Sequence, residues 1–562
     1  MSIPFICRHV DGPALEGRRL WFLALAGALV MFLAQPPADL WPLAWLAPLP
    51  WLAIVVPSTL ASPRPWRAIW TAGFVHWLLT IHWLRLPHPA TAIGWVALSA
   101  YLACFVPLFI WVARTLLHRW RWPLTAAAPL AWITCEQLRG GLLGGFTFGG
   151  LGHTQWRWTT FIQAADLFGA VGISGVVMLV AAAIGSRSGR QAAVAATVVA
   201  ATLGYGAWRL AGEPSPVGTP LDVLLVQGSI DTELKHDPAA AGDVATQYDE
   251  LTIAGLKATP EKTPDLIVWP ETMWRWGLLA IDQDEILPED VVDRMVGPRG
   301  EQTGPSMDDE RQRLSREALE AERLEALAVF ARRYGTHWLV GVDRQEITPR
   351  SPSGAFHYNC GLFLDADGAP MARYDKMHPV MFGEYIPLAN RFRWIYSLTP
   401  LPAGLTAGTH PVAVPIAGHR AAATICYETA LPDAVRSMVR RLAGAGSRPD
   451  VIVNLTNDGW FWGSSELDMH LTAAVFRAIE VRTPLVIAAN TGFSAWIDGC
   501  GRLLACGPRR STATLRARVR PDGRPTAWLA WGSLPNWGCV AVAACIMIWD
   551  RRRVVGASRR TG

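Results

Sequence analysis

Residues 423–428 read ATICYE, a run of small and β-branched residues that ends in Cys426 and Glu428. A short apolar run of this kind reads as a buried strand, so Cys426 stands where a strand gives way to a turn. A cysteine in that position is ordinarily an inert core thiol. Two other stretches change the reading. Residues 268–272, VWPET, close a second apolar run on Glu271, and residues 373–387, RYDKMHPVMFGEYIP, carry Lys376 and Glu384. A thiol is a useful nucleophile only as thiolate, a form that a nearby ammonium favours. A carboxylate within hydrogen-bond reach can take the proton and later return it. Glu271, Lys376 and Cys426, each at or just past a β-like run, are therefore the parts of an acyl-transfer site.

Around these stretches, from Leu221 to Arg520, strand-like and helix-like segments alternate. Strands are predicted at LDVLLVQ, DLIVWPE, HWLVGVD, CGLFLDADG, HPVAVPI, RAAATIC, DVIVNLT, PLVIAAN, SAWID and TATLRARV. Amphipathic helices fit Ala240–Ala258, Arg311–Arg333, Pro432–Leu442 and His470–Val481. Such alternation gives a layered α/β domain over residues 221–520. A charged stretch near 282–324, with glycines and prolines at its centre, reads as an insertion in that domain, a solvated helix in its simplest form.

The rest of the chain is of another kind. Half of the 562 residues are hydrophobic and 28 are tryptophan, too apolar for a soluble protein of this length. A formal charge of +5 is too small an excess to suggest a nucleic-acid partner. Nine cysteines make no disulfide framework, although Cys500 and Cys506 could pair in an oxidising compartment. A helical span needs about 20 apolar residues. Candidates are Leu20–Leu33, Trp41–Val56, Trp66–Leu84, Ile93–Leu116, Leu124–Leu138, Ile162–Ile184 and Ala192–Leu210, a membrane domain of about seven helices over residues 1–215. An eighth lies within 528–549. No small-residue cleavage site follows the first apolar stretch, so an uncleaved helix is expected. Arginines gather in alternate loops, at Arg18 and Arg19, Arg64 and Arg67, Arg114 to Arg121, Arg187 and Arg190, and Arg551 to Arg553. By the positive-inside rule both termini are cytoplasmic and the α/β domain lies on the outer face. Within the membrane half, CEQLRGGLLGGFTFGGLGHTQWRW (135–158) places Glu136 and Arg139 at the end of a span, where charge is costly unless paired or functional.

In order, VLLVQGSI (223–230), LIVWPE (266–271), the tyrosine–lysine segment, TICYE, VNLTNDGWF (453–461) and AANTG (488–492) resemble the nitrilase, or carbon–nitrogen hydrolase, superfamily. FGEYIP and CYE, with the layout of the membrane half, resemble its membrane-embedded branch, the apolipoprotein N-acyltransferases. The resemblance implies a multi-span helical domain joined to an α-β-β-α sandwich. It implies that Glu271 is the general base, Lys376 the cation beside the site and Cys426 the nucleophile, with Glu384 and Glu428 holding them in place. It also places the substrate cleft near His236, Met381, Trp460, Phe461 and Asn490. His236 and Met381 depart from the branch's usual tryptophan and Val-Pro.

The activity implied moves a fatty acyl chain from a membrane phospholipid to Cys426, then to the amino terminus of a diacylglyceryl lipoprotein, in a bacterial-type inner membrane. No cofactor is needed. No HExxH, paired CxxC or phosphate-cradling loop appears, and His82, His88, His378 and His470 show no metal-ligand spacing. A membrane-tethered amidase that uses water as acceptor, or an inactive lipid-binding scaffold, would share many of these features. Eight spans argue against the first, and the intact triad against the second. As a positioning residue, Glu428 is expected to tolerate glutamine better than Glu271 does.

Overall fold

A computed structural model describes residues 14–212, 218–231, 237–298, 305–351, 353–387, 389, 391–392, 394 and 404–558. His236 lies outside them. The apolar half is helical where the pattern predicts. Its helices are Gly17–Leu33 (α1), Leu49–Val55 (α2), Pro65–Thr80 (α3), Thr91–Ala103 (α4), Phe105–Arg114 (α5), Leu124–Gly141 (α6), Ala165–Ser186 (α7) and Gly189–Ala211 (α8). Among the described residues, three stretches are long and apolar enough to cross a membrane: Thr91–Arg119, Ala165–Ser186 and Gly189–Ala211. The others are shorter than the about 20 residues of a full span, or less apolar. The helix α1 has 17 residues. The second predicted span is divided into a 3₁₀ turn, Trp41–Trp45, and the seven-residue α2. Pro42, Pro48 and Pro50 explain the break, because proline donates no backbone hydrogen bond.

Strands Leu221–Gln227 (β1), Leu266–Val268 (β2), Trp274–Ile281 (β3), His337–Ile347 (β4), Ala355–Leu364 (β5) and Pro370–Asp375 (β6) alternate with helices Ala241–Lys257 (α9), Glu289–Val296 (α10) and Pro305–Tyr334 (α11). Then come Ala413–Ile416 (β7), His419–Ile425 (β8), Pro432–Gly444 (α12), Val451–Thr456 (β9), Glu466–Val481 (α13) and Leu485–Ala489 (β10). Ala495–Ile497 (β11), Leu503–Cys506 (β12), Ala513–Val519 (β13) and Leu534–Ser558 (α14) complete the chain. One sheet has the order β13-β1-β2-β4-β5-β6 with β3 beside β4, and the other β12-β11-β10-β9-β8-β7.

The sheets stack face to face. Val223, Leu225, Val268 and Leu339 of the first share one apolar cluster with Ala423, Ile425, Val453 and Leu455 of the second. Helices α9 and α11 cover the first sheet through Tyr248, Leu327 and Ala331, packed with Trp269 and Trp338. On the second sheet Met438, Val475 and Phe476 of α12 and α13 continue, without interruption, into the membrane helices through Ala131, Ile173 and Val177. Helix α13 is therefore almost wholly enclosed, with every one of its 16 residues buried except Asp468.

Three strands, β3, β6 and β12, go beyond the sequence pattern. In β3 the alternation fails at Gly277, whose φ is +66° and where the register against β4 shifts. Helices α10 and α11 occupy most of the charged insertion. They are not wholly solvated, since Leu287 and Val292 close a small core with Ile281. Cys500 and Cys506, which the sequence allowed to pair, form no disulfide. Cys500 is buried against Arg482 and Arg524, and Cys506 is exposed. Arg482 is buried and Arg524 half-buried where they meet the Cys500 sulfur.

Candidate active site

In each sheet the central strands run parallel, β1-β2-β4 in one and β8-β9-β10 in the other. Strand β6 reaches the same direction through two antiparallel steps from β4. Loops leaving the carboxyl ends of such strands form a natural crevice. Glu271 follows β2, Lys376 follows β6, Cys426 follows β8, Asn457 follows β9 and Asn490 follows β10. The topology thus gathers the three candidate residues at one edge, although 155 positions of sequence lie between Glu271 and Cys426.

Each of the three loops holds a non-glycine residue in the left-handed region: Thr272 at φ +55°, Phe382 at +62° and Cys426 itself at +52°. That conformation is strained for residues with a Cβ and persists where the surroundings enforce it. At Cys426 the enforcement is visible. Its carbonyl accepts hydrogen bonds from Asn454 Nδ2 at 3.2 Å and His470 Nε2 at 3.0 Å, and from the Thr429 hydroxyl at 3.1 Å. The sulfur leads the short turn Cys426–Ala430 and is half-buried.

Glu271 is buried and accepts from Asn359 Nδ2 at 2.6 Å and from the Asn457 backbone N–H at 2.9 Å. Lys376 is 1% exposed, with its ammonium 2.6 Å from Glu384 Oε1 and 3.6 Å from Glu271 Oε1. Burial alone disfavours that charge. The Glu384 carboxylate, then Glu271, more than offset it and hold the lysine pKa above its usual value. The thiol of Cys426 is pushed well above the ordinary range, first by burial and then by the Glu271 charge, with Lys376 opposing. Cys426 therefore rests as a thiol, and a base must ionise it. Glu271 is the carboxylate whose charge it feels most.

Two glutamates brace this arrangement. Glu384 binds the Val380 N–H through Oε2 at 2.7 Å while Oε1 holds Lys376. Glu428 is 1% exposed. Its Oε1 accepts from the N–H groups of Met377 and His378 at 2.8 and 3.0 Å, its Oε2 from that of Ile425 at 2.7 Å, and Tyr374 donates to the same carboxylate. Glu428 thus ties the Lys376 loop to the Cys426 turn.

The remaining candidates divide. Met381 lies in the Lys376 loop with its methyl against Gly144 of the membrane half. Phe461 packs edge-on to Trp83, with ring centroids 5.0 Å apart, and Trp460 is half-buried beside it. Asn490 does not line an open cleft. It is fully buried, accepting from Ile230 N–H and the Tyr248 hydroxyl and donating to Asn457 Oδ1. Its amide buttresses the loop that presents Asn457 to Glu271.

Asn359, Tyr374, Asn457 and His470 also enter the site; Tyr374 and Asn457 lie in stretches that the motifs mark, but their contacts there are not legible, and Asn359 and His470 carry no motif signal. Asn359 is legible in hindsight as the polar break within HYNCGLFL. His470 depends on the fold, which brings it under Cys426 with Asp458 Oδ1 at 3.3 Å from Nδ1. Burial lowers the imidazole pKa, but Asp458 and Glu466 hold it up to about 9, so it is charged at neutral pH. Ligand atoms of Asp458, Glu466 and His470 lie within 4.8 Å of one another, close enough for a cation. The imidazolium already neutralises Asp458, whose Oδ1 also accepts from Thr456.

Two family models match the chain, the apolipoprotein N-acyltransferase N-terminal domain over residues 27–183 and the carbon–nitrogen hydrolase family over residues 225–526. An apolipoprotein N-acyltransferase of Rhodopirellula baltica is 29% identical over 93% of this chain and 96% of its own length. Another, of Bordetella bronchiseptica, is 31% identical over 93% of this chain and 95% of its own. Among solved structures, an amidase from Nesterenkonia sp. is 16% identical, with a TM-score of 0.33, covering 55% of this chain and 94% of the amidase.

Proposed function

The chain belongs to the carbon–nitrogen hydrolase family as one of its apolipoprotein N-acyltransferases, and on that premise we propose how its site works. It is an acyltransferase and a membrane protein. The observation that carries the mechanism is the convergence of Glu271, Lys376 and Cys426 at one strand edge, directly against the membrane helices. Glu271 takes the Cys426 proton, and the thiolate attacks the ester carbonyl of a membrane phospholipid. The Lys376 ammonium and the first N–H groups of the Cys426–Ala430 turn face the developing oxyanion. As the tetrahedral intermediate collapses, Glu271 gives its proton to the departing alkoxide, leaving a thioester and a lysophospholipid. The amino terminus of a diacylglyceryl lipoprotein then attacks the thioester. Glu271 accepts the amine proton and returns it to the sulfur. Two easier displacements replace one difficult transfer.

The catalytic half lies on the outer, periplasmic face of an inner membrane, with both termini cytoplasmic. Two contacts favour this orientation. Arg119 pairs with Asp550 near the end of α14, so these arginine-bearing segments share one end of the bundle. The other end of α6 leads to the Gly145 turn that meets the catalytic domain, where Tyr427 donates to Gly145 O and Thr147 to Ala430 O. Glu271→Gln tests the base. It keeps the shape but not the basicity, so thioester yield on Cys426 from phospholipid, without acceptor, should fall by about 10²–10⁴-fold. Wild-type yield in this variant would remove Glu271 from the mechanism.

A further inference from the structure

A cavity of about 320 Å³ lies where three parts of the chain meet, the α6–α7 region, the catalytic domain and the segment that precedes α14. Arg139, Arg477, Trp528, Glu480, His153 and His378 are among its walls. Its polarity is unusual for an internal space. The side chain of Arg139 is 95% buried (5% exposed), makes no ion pair among the described residues, and leaves its Nε–H without a partner. Its guanidinium lies over Trp77, 4.9 Å from the ring centroid. A charge so placed is costly and calls for a counter-charge.

The charge that acts most on Arg139 is Glu136, one turn earlier on α6, and the acidic neighbours also hold hydrogen bonds of their own. Glu136 accepts from Trp132 Nε1 at 2.8 Å and from Leu151 N–H at 2.9 Å. Glu480 Oε1 binds Arg477 at 2.7 Å and Ala170 N–H at 3.1 Å, and Asp433 accepts from Ser533. What faces the space unpartnered is mostly donor. The Nε–H of Arg477, itself fully buried, and the indole N–H of Trp528 have no acceptor, as with Arg139. The remaining unpartnered atom, Glu480 Oε2, belongs to a carboxyl that burial raises to about 7.

Position links the cavity to the chemistry. Arg139 is close enough to Tyr427, the residue after the nucleophile, for its charge to oppose the rise that burial gives the phenol pKa. His378, two residues beyond Lys376, forms part of the wall. From the buried Arg139 and the unpartnered donors around it, we propose that this cavity is an anion site that holds the phosphate diester of the donor glycerophospholipid while its acyl ester reaches Cys426. The inference rests on the phospholipid-donor reading above. Arginine's planar fork suits a phosphate, and the site faces the bundle through which a lipid must come.

The test compares the full-length protein, Arg139→Gln and Arg139→Lys in detergent micelles. Acylation of Cys426 is followed from a phosphatidyl donor and from a neutral p-nitrophenyl acyl ester, which lacks phosphate. One charge-assisted hydrogen-bonding interaction corresponds to about 10–100-fold in affinity. The ratio of kcat/KM for phospholipid to that for the ester should fall by that factor in Arg139→Gln, mainly through KM, and recover in part in Arg139→Lys. Inorganic phosphate should slow phospholipid acylation of the unmodified protein and leave ester acylation unchanged. An unchanged ratio in Arg139→Gln overturns the proposal. So does phosphate that raises Tm through Arg139 without slowing phospholipid acylation, because the site would then serve free phosphate. Unmodified protein that is acylated by the ester and never by phospholipid would instead sink the donor assignment itself.

Discussion

At the residue scale the least replaceable brace is Glu428. The sequence suggests that an amide could stand in for it, and the geometry corrects that. Both carboxylate oxygens receive backbone donors, Met377 and His378 on one and Ile425 on the other. A glutamine must turn its NH₂ toward one of these N–H groups, leaving two donors face to face in a buried site. Glu428→Gln should therefore lose about 1–3 kcal/mol of stability and loosen Lys376 from Cys426. Thermal unfolding together with thioester yield measures both effects, and an unperturbed variant would reduce Glu428 to a spectator. His470 supplies a pH signature. Its folded pKa of about 9 lies above the ordinary 6.5, so its contribution is complete below about pH 6.5 and is lost as pH rises through about 9. The difference corresponds to on the order of 3 kcal/mol. A Tm profile across that window should decline in the unmodified protein and lose that step in His470→Asn. Parallel profiles would mean that the imidazolium does not hold the Cys426 carbonyl.

At the scale of elements, the site depends on how closely strands pass its loops. Gly341 of β4 crosses beneath the Glu271 loop, and a Cβ there would meet Pro270 O at 2.2 Å and Glu271 Cα at 2.6 Å. Those are backbone atoms, so the loop itself must move. Gly341→Ala should cost about 1–3 kcal/mol and displace Glu271 from Asn457, cutting thioester yield well beyond the loss of stability. Normal yield would show that the loop has slack. The candidate residues Glu271, Lys376 and Cys426 and most central strands stood out in the sequence because strand ends, acidic groups and a lone thiol leave local marks. Strand β3 did not, since Gly277 breaks its alternation. The roles of Asn359, Asn457 and His470 did not, since they come from partners 88, 186 and 44 positions away. Asn490 was legible as important and misread as cleft lining, because a turn motif does not reveal which way its amide faces.

At the scale of the whole molecule, the two halves form one continuous core. Helix α13 is buried between sheet and membrane helices, and Asp166 of α7 pairs in the interior with Arg482, just after α13, and Arg209 of α8. The predicted helical segments were legible from apolar length, whereas this seam was not, because buried ion pairs across 316 positions leave no local pattern. A seam of this kind fixes the Cys426 edge against the bundle, which is what a lipid donor confined to the bilayer requires. The central claim is therefore a thioester drawn from that donor, and mass spectrometry of the full-length protein after incubation with phospholipid, without acceptor, tests it most directly. A fatty acyl adduct is expected on the peptide containing Cys426, labile to hydroxylamine and absent from Cys426→Ala. An adduct that persists in Cys426→Ala, or full transfer to a lipopeptide amine by that variant, would contradict the claim.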